Sequence, residues 1–134
     1  MPNILYESDH TLLTYHKAEK IVKLEWIKPC SEEEYRRVFM EIVKQHAKNK
    51  FTYFLSDIRN EGPVSYNNLV WIKKEIIPQA IKSGIKKIAL VFDGDFFSKL
   101  YADSIKTALN ESGILIDYFK NEIEAVNWIQ GNPQ

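Results

Sequence analysis

Residues Tyr53–Tyr66 read YFLSDIRNEGPVSY, and this stretch contains the transition that decides the fold. The run Phe51–Ile58 is apolar almost throughout, as expected for a strand that is covered on both faces of its sheet. A polar segment follows, and Gly62-Pro63 then turns the chain toward Ser65, a residue type that caps helices. The stretch therefore predicts a buried strand, its polar exit and the start of a helix.

Three further strands are predicted before this one. Asn3–Ser8 and Thr11–His16 are separated by only two residues, which is typical of a hairpin. Lys20–Ile27 alternates between apolar and polar residues, so one face of this strand is expected to be wet. The N-terminal part of the chain thus predicts antiparallel strands at the edge of a sheet.

Helical spacing begins after Pro29. Ser31 followed by Glu34 predicts a capping box that would satisfy two backbone donors. The apolar stripe of this helix consists of Tyr35, Val38, Phe39, Ile42, Val43 and His46.

The rest of the chain alternates between strands and helices. A second helix is predicted from Ser65 to a stop at Gly84, with a kink or a break at Pro78, because proline removes a backbone donor. The remaining elements are strand Lys87–Phe92, a helix carrying Phe97 to Leu109, strand Leu115–Phe119 and a helix from Asn121 to Gly131. The order βββαβαβαβα predicts a mixed α/β sheet, with parallel core strands, an N-terminal antiparallel hairpin and about four helices, in a single domain over residues 1–134.

The composition is that of an ordinary soluble protein. The 134 residues are 45% hydrophobic and 27% charged, and 18 basic residues balance 18 acidic ones. This balance argues against nucleic-acid binding, which requires an excess of positive charge. No apolar stretch predicts a membrane span, and the single cysteine suits a reducing compartment, so a cytoplasmic protein is expected.

Two polar loops are expected to form a binding crevice. They follow the fourth and fifth strands, and ligands of open α/β sheets bind beyond the carboxyl ends of strands. The candidate residues of this crevice are Asp57, Arg59, Asn60, Glu61, Asp93 and Asp95.

Three catalytic interpretations of the sequence are weaker. Asp57 ends a strand as the phospho-acceptor of a receiver domain does, but the early strands lack the acidic pair that would hold its cation. Asp93-Gly94-Asp95 matches the Asp-x-Asp of haloacid-dehalogenase-type phosphatases, whose downstream motifs do not fit in the residues that remain. Cys30 precedes a helix, where a thiol pKa is lowered, but no histidine accompanies it in the pattern. The sequence predicts no metal site and no cofactor, and favours a non-enzymatic protein while leaving a phosphoryl-transfer enzyme open.

A candidate interaction face lies at the start of the second helix. Its residues are Ser65, Tyr66, Asn67 and Trp71, and these are called the helix-start face below. Trp71 lies off the main apolar stripe, so it either packs at the edge of the helix or anchors a partner or ligand.

The chain resembles the STAS-like superfamily, the fold of anti-sigma-factor antagonists, and is especially similar to small stand-alone bacterial proteins described as SpoIIAA-like. The resemblance is carried by FTYFLSDIRN, Trp71-Ile72, Pro78-Gln79-Ala80, SGIKKIALVF (Ser83–Phe92) and SGILIDYFKNEIEAVNWI (Ser112–Ile129).

The resemblance implies a regulatory or protein-interaction module. Regulated antagonists carry a phosphorylated serine in an Asp-Ser-Ser-Gly-Leu motif, which corresponds here to Ser65-Tyr66-Asn67-Asn68-Leu69. Tyr66 and Asn67 take the places of the two serines. A protein partner or self-association is expected, and the alternative is a small-molecule or lipid-binding protein of the CRAL-TRIO type, which the aromatic content favours.

Overall fold

A six-stranded sheet forms the centre of the molecule. The computed structural model describes residues 2–93 and 96–131, and of residues 96–102 it describes the backbone only. The strands are β1 (Asn3–Glu7), β2 (Thr11–His16), β3 (Ile21–Trp26), β4 (Tyr53–Asp57), β5 (Lys87–Val91) and β6 (Leu115–Phe119). They lie side by side in chain order. The pairs β1–β2 and β2–β3 are antiparallel and the later pairs are parallel, so the predicted mixed sheet is confirmed.

Helices cover both faces of this sheet. They are α1 (Glu32–Lys48), α2 (Tyr66–Trp71), a π-helical turn (Ile72–Ile76), α3 (Ile77–Ser83), α4 (Phe96–Asn110) and α5 (Glu122–Ile129). The larger core cluster joins one sheet face to α1, the π-helical turn, α3 and α4. Ala125 and Ile129 of α5 pack on the opposite face with Leu55, Ala89 and Val91. No helix in the described part of the chain combines the length and apolarity needed to cross a membrane.

The register of the sheet places Ser56 on the sheet face that carries the larger core cluster. Leu24 pairs with Ser56, which in turn pairs with Leu90. Side chains paired in this way point to the same face of a sheet, and both leucines belong to the larger core cluster. Ser56 is therefore a polar residue in a mostly apolar layer, where it is only 4% exposed.

The irregularity expected at Pro78 lies one turn earlier. The backbone N–H of Ile77 donates to Ile72 O, five residues back, so the helix widens before the proline and continues through it. A proline ring clashes with the carbonyl four residues before it, which here is that of Lys74. The wider turn is where the helix accommodates this clash, and the predicted break is replaced by a π-helical segment.

The predicted capping box at α1 is formed only in part. Ser31 Oγ accepts from the Glu34 backbone N–H at 3.1 Å, as expected for an N-cap. The Glu34 carboxylate instead accepts from the Tyr6 hydroxyl at 2.7 Å, across 28 residues of chain. A tertiary contact to β1 has thus taken the side chain that was expected to close the box.

Candidate functional site

The polar edge of the sheet is built around Asp57 and Arg59. Arg59 Nη2 and Nε donate to Asp57 Oδ2 and Oδ1 at 2.6 and 2.9 Å, and the Arg59 backbone N–H also donates to Oδ1. Burial alone would raise the pKa of the Asp57 carboxyl, but these hydrogen bonds and the charge of Arg59 outweigh it and lower the pKa. The Asp57 carboxylate is therefore ionised, and it is already hydrogen-bonded to Arg59.

The other residues of the expected crevice are placed differently. Asn60 and Asp93 are exposed. Asp93 lies close enough to Arg59 for its charge to help raise the pKa of that guanidinium, behind the larger effect of Asp57. Asp95 lies outside the described residues. No group of three His, Cys, Asp or Glu side chains in the described ranges could hold a metal ion.

Glu61 points into the protein rather than toward the polar edge. Its side chain is only 5% exposed. The turn that directs it inward is closed by the Glu61 N–H donating to Ile58 O at 3.2 Å. Gly62 follows with φ +77°, and a Cβ at this position would lie 2.8 Å from Pro29 Cγ. Glycine suits this position because it adopts the positive φ without strain and leaves room for Pro29, in the turn that directly follows Glu61.

Glu61 lines a cavity of about 100 Å³, called the inner cavity. It lies between the sheet face that carries the larger core cluster and the helices that cover this face. Apolar side chains form most of its wall, among them Phe39, Phe54, Ile72, Ile76, Leu90 and Ile105. Among the described residues, its polar lining consists of Ser56 and Glu61. Ser56 Oγ accepts from Trp26 Nε1 at 3.3 Å, which leaves the serine hydroxyl hydrogen free to rotate.

The Glu61 carboxyl is incompletely satisfied. Its Oε1 atom is buried and has no hydrogen-bond partner among the described residues. Burial raises the pKa of this carboxyl to about 8. An acid in such surroundings is neutral through most of the physiological range and is able to donate or accept a hydrogen bond.

A second cavity of about 350 Å³, called the outer cavity, adjoins the first between α1 and α3. The two cavities share the lining residues Phe39, Ile42, Ile76, Ala80 and Ile85. The lining of the outer cavity also includes Gln79 and Lys82, both of which are exposed. The outer cavity thus extends from the shared apolar wall to the surface.

His46 ties the two helices together beside the outer cavity. Its Nδ1 accepts from the Phe51 N–H at 3.3 Å, so its Nε2 carries the hydrogen that is donated to Ser83 O at 3.0 Å. Its ring also packs edge-on against Phe51, with the centroids 4.8 Å apart. The histidine of the apolar stripe is therefore a satisfied structural residue.

The helix-start face is partly exposed and partly packed. Ser65 Oγ accepts from the Asn68 N–H at 3.1 Å and caps α2. Tyr66 is 78% exposed. Trp71 is half-buried, with its ring 6.5 Å from that of Phe39 and the Arg36 guanidinium 5.3 Å from its centroid. The structure thus shows the edge packing considered for Trp71, while Tyr66 remains an open aromatic surface.

Asn68 is a structural residue that the sequence did not single out. It is 2% exposed, accepts from Arg36 Nε at 2.7 Å and donates to Glu32 O at 3.3 Å. These contacts hold the start of α1 against α2. An asparagine one turn into a helix carries no signal of such burial.

Cys30 does not have the activated thiol that its position before α1 suggested. Burial, followed by the negative charges of Glu34 and Glu61, raises its pKa to about 11. The expectation of a lowered pKa is thus corrected, because desolvation and two carboxyl groups outweigh the backbone hydrogen bond that lowers it.

Comparison with known proteins supports the fold. No family model matches the sequence, and no curated protein matches it. The structure is similar to that of a protein from Shewanella loihica PV-4, which is described as an uncharacterised member of the DUF3478 family with a SpoIIAA-like fold. The TM-score is 0.61 at 15% sequence identity, over 96% of this chain and 92% of that one. The expected STAS-like, SpoIIAA-like fold is confirmed.

Proposed function

We propose that this chain, which has a SpoIIAA-like fold, is a non-enzymatic module that binds a small apolar molecule between its sheet and its helices. The observation that carries the proposal is the apolar inner cavity with the buried, incompletely bonded carboxyl of Glu61 in its wall. Protein interiors are normally packed to the density of organic crystals, so unfilled apolar space destabilises a fold. A ligand that fills this space would remove that penalty.

The adjoining outer cavity supports the same function. Its volume of about 350 Å³ falls within the range of roughly 300–1,000 Å³ that is usual for small-molecule sites. Apolar walls with a few polar groups are also usual for such sites. The π-helical turn supplies Ile72 and Ile76 to the wall, and π-helical turns are frequent at functional sites.

Native mass spectrometry after gentle purification tests this function. We expect an added mass that is lost on denaturation. Ala80→Leu places a larger side chain in the wall shared by both cavities and should abolish the added mass. Ala18→Leu, in the exposed turn between β2 and β3, is the matched control and should retain it. A wild-type protein that carries no ligand and binds none of a series of linear alkyl compounds would contradict the proposal.

A second function, binding of a protein partner or of another copy of the chain, is favoured by the helix-start face. Tyr66 is 78% exposed beside the half-buried Trp71, and exposed aromatic residues are enriched at interfaces. Pull-downs with wild type and Tyr66→Ala would test it. Tyr66 is preferable to Trp71 for this purpose because Trp71→Ala would also remove the packing on Phe39. Identical partner lists for the two proteins would count against this function.

A further inference from the structure

The chemistry of the inner cavity restricts the head group of a ligand. None of its described lining residues is lysine, arginine or histidine. A carboxylate head group placed there would be a buried anion without a cation among these described residues, next to the acidic side chain of Glu61. Burial of an unpaired ionised group is strongly unfavourable, so a fatty acid with its head inward is a poor fit.

A neutral hydroxyl suits the same position. Glu61 Oε1 lacks a partner among the described residues, and an alcohol O–H would donate to it. The alcohol oxygen retains its capacity to accept, and the Ser56 hydroxyl hydrogen is available within the same cavity wall. The head group would thus satisfy a buried polar atom without bringing a charge into the cavity.

The volumes of the two cavities restrict the shape of the ligand. The inner cavity, at about 100 Å³, is smaller than the cavity of about 150 Å³ that admits benzene in a well-studied protein. It therefore has room for a head group and a few carbon atoms. The remainder of a longer ligand would occupy the adjoining outer cavity, which shares the lining residues Phe39 and Ile76 with the inner one.

We infer that the ligand is a slender apolar molecule with a neutral hydrogen-bonding head group, typified by a linear primary alcohol, and that this head group lies against Glu61. The inference rests on the proposed ligand-binding function. It sets a preference among head groups, which is separate from the ability of the cavities to bind an alkyl chain.

Isothermal titration calorimetry with 1-octanol, octanoate and octylamine at pH 7 tests the inference. Wild type is expected to bind octanol about tenfold or more tightly than either charged analogue. In Glu61→Gln the ratio of octanol to octanoate affinity should fall, because glutamine cannot ionise and therefore never places a second negative charge beside a bound carboxylate. Glu111→Gln, an exposed residue after α4, is the matched control and should leave the ratio unchanged.

Several outcomes would overturn the inference while leaving ligand binding intact. Octanoate binding as tight as that of octanol, with a loss of octanoate affinity in Lys82→Gln, would place a carboxylate at the outer rim. If octylamine bound most tightly of the three, the result would show that Glu61 receives a cationic head group.

Binding of none of the three compounds would overturn the proposed function itself. The three wild-type titrations decide among these results even if Glu61→Gln folds poorly.

Discussion

The Arg59 guanidinium donates hydrogen bonds to both carboxylate oxygens of Asp57, at 2.6 and 2.9 Å, and the two residues are only two positions apart in the chain. Planar bidentate pairs of this kind are the strong form of the arginine–carboxylate contact. The carboxylate that most resembled a phospho-acceptor therefore already accepts three hydrogen bonds from Arg59.

Asp57 is therefore expected not to form an acyl phosphate. Incubation of wild type with acetyl phosphate and Mg²⁺ should leave the mass of the protein unchanged. Arg59→Ala removes the partner of the Asp57 carboxylate, so the wild-type result is compared with that of this variant. Asp57→Asn, which lacks the carboxylate, is the negative control. Phosphate on Asp57 of the wild-type protein would revive the phosphoryl-transfer alternative.

Glu61 is expected to make the protein less stable as the pH rises. Its pKa in the folded protein, about 8, lies above the ordinary value of 4.5, so the folded state retains a proton that the unfolded state has lost. Unfolding free energy should fall between about pH 4.5 and 8 and then level off for this group. Urea titrations at several pH values in this range give the unfolding free energy at each pH. This free energy should fall less steeply with pH in Glu61→Gln than in wild type. The Glu111→Gln control should follow wild type, and an unchanged slope in Glu61→Gln would contradict the buried acid.

Gly62→Ala is expected to destabilise the fold more than the same change at Gly113. Both glycines have positive φ, +77° and +87°, so both substitutions incur a backbone penalty of about 1–2 kcal/mol. At Gly113 a new Cβ meets nothing within 4 Å, whereas at Gly62 it lies 2.8 Å from Pro29 Cγ. Thermal or urea unfolding of the two variants gives the comparison directly. Equal losses would show that Pro29 yields to the methyl group.

Cys30 is expected to react slowly with disulfide reagents. With a pKa of about 11, only roughly one thiol in a thousand is ionised at pH 8, and the thiolate is the reactive form. The reaction should be on the order of 100-fold slower than that of the same cysteine in urea-unfolded protein, where the pKa returns to about 8.5. Similar rates in the two states would contradict the raised pKa.

The sequence predicted the framework of the fold because that framework depends on local patterns. Alternation within Lys20–Ile27 and the apolar run Phe51–Ile58 correspond to β3 and β4, and Ser65 caps α2 as expected. The cavities were not predicted, because empty space arises from how α1 and α3 pack on the sheet. A glutamate in a Gly-Pro turn is ordinarily solvated. The burial of Glu61 was not predicted because the turn beside it packs on Pro29, which lies 33 residues earlier and leaves no local signal.

The π-helical turn has a consequence for the orientation of α3. A five-residue hydrogen-bonded step contains one residue more than an α-helical step, and each residue of an α-helix advances the side-chain direction by about 100°. Ile72–Ile76 therefore acts as an offset between two straight helical pieces, so that Tyr66–Trp71 and Ile77–Ser83 present faces that an unbroken α-helix would not align. Without the extra residue, the side-chain directions of Ala80 and its neighbours would be rotated by about 100° relative to those of α2. Ala80, which lines both cavities, stands directly after this offset.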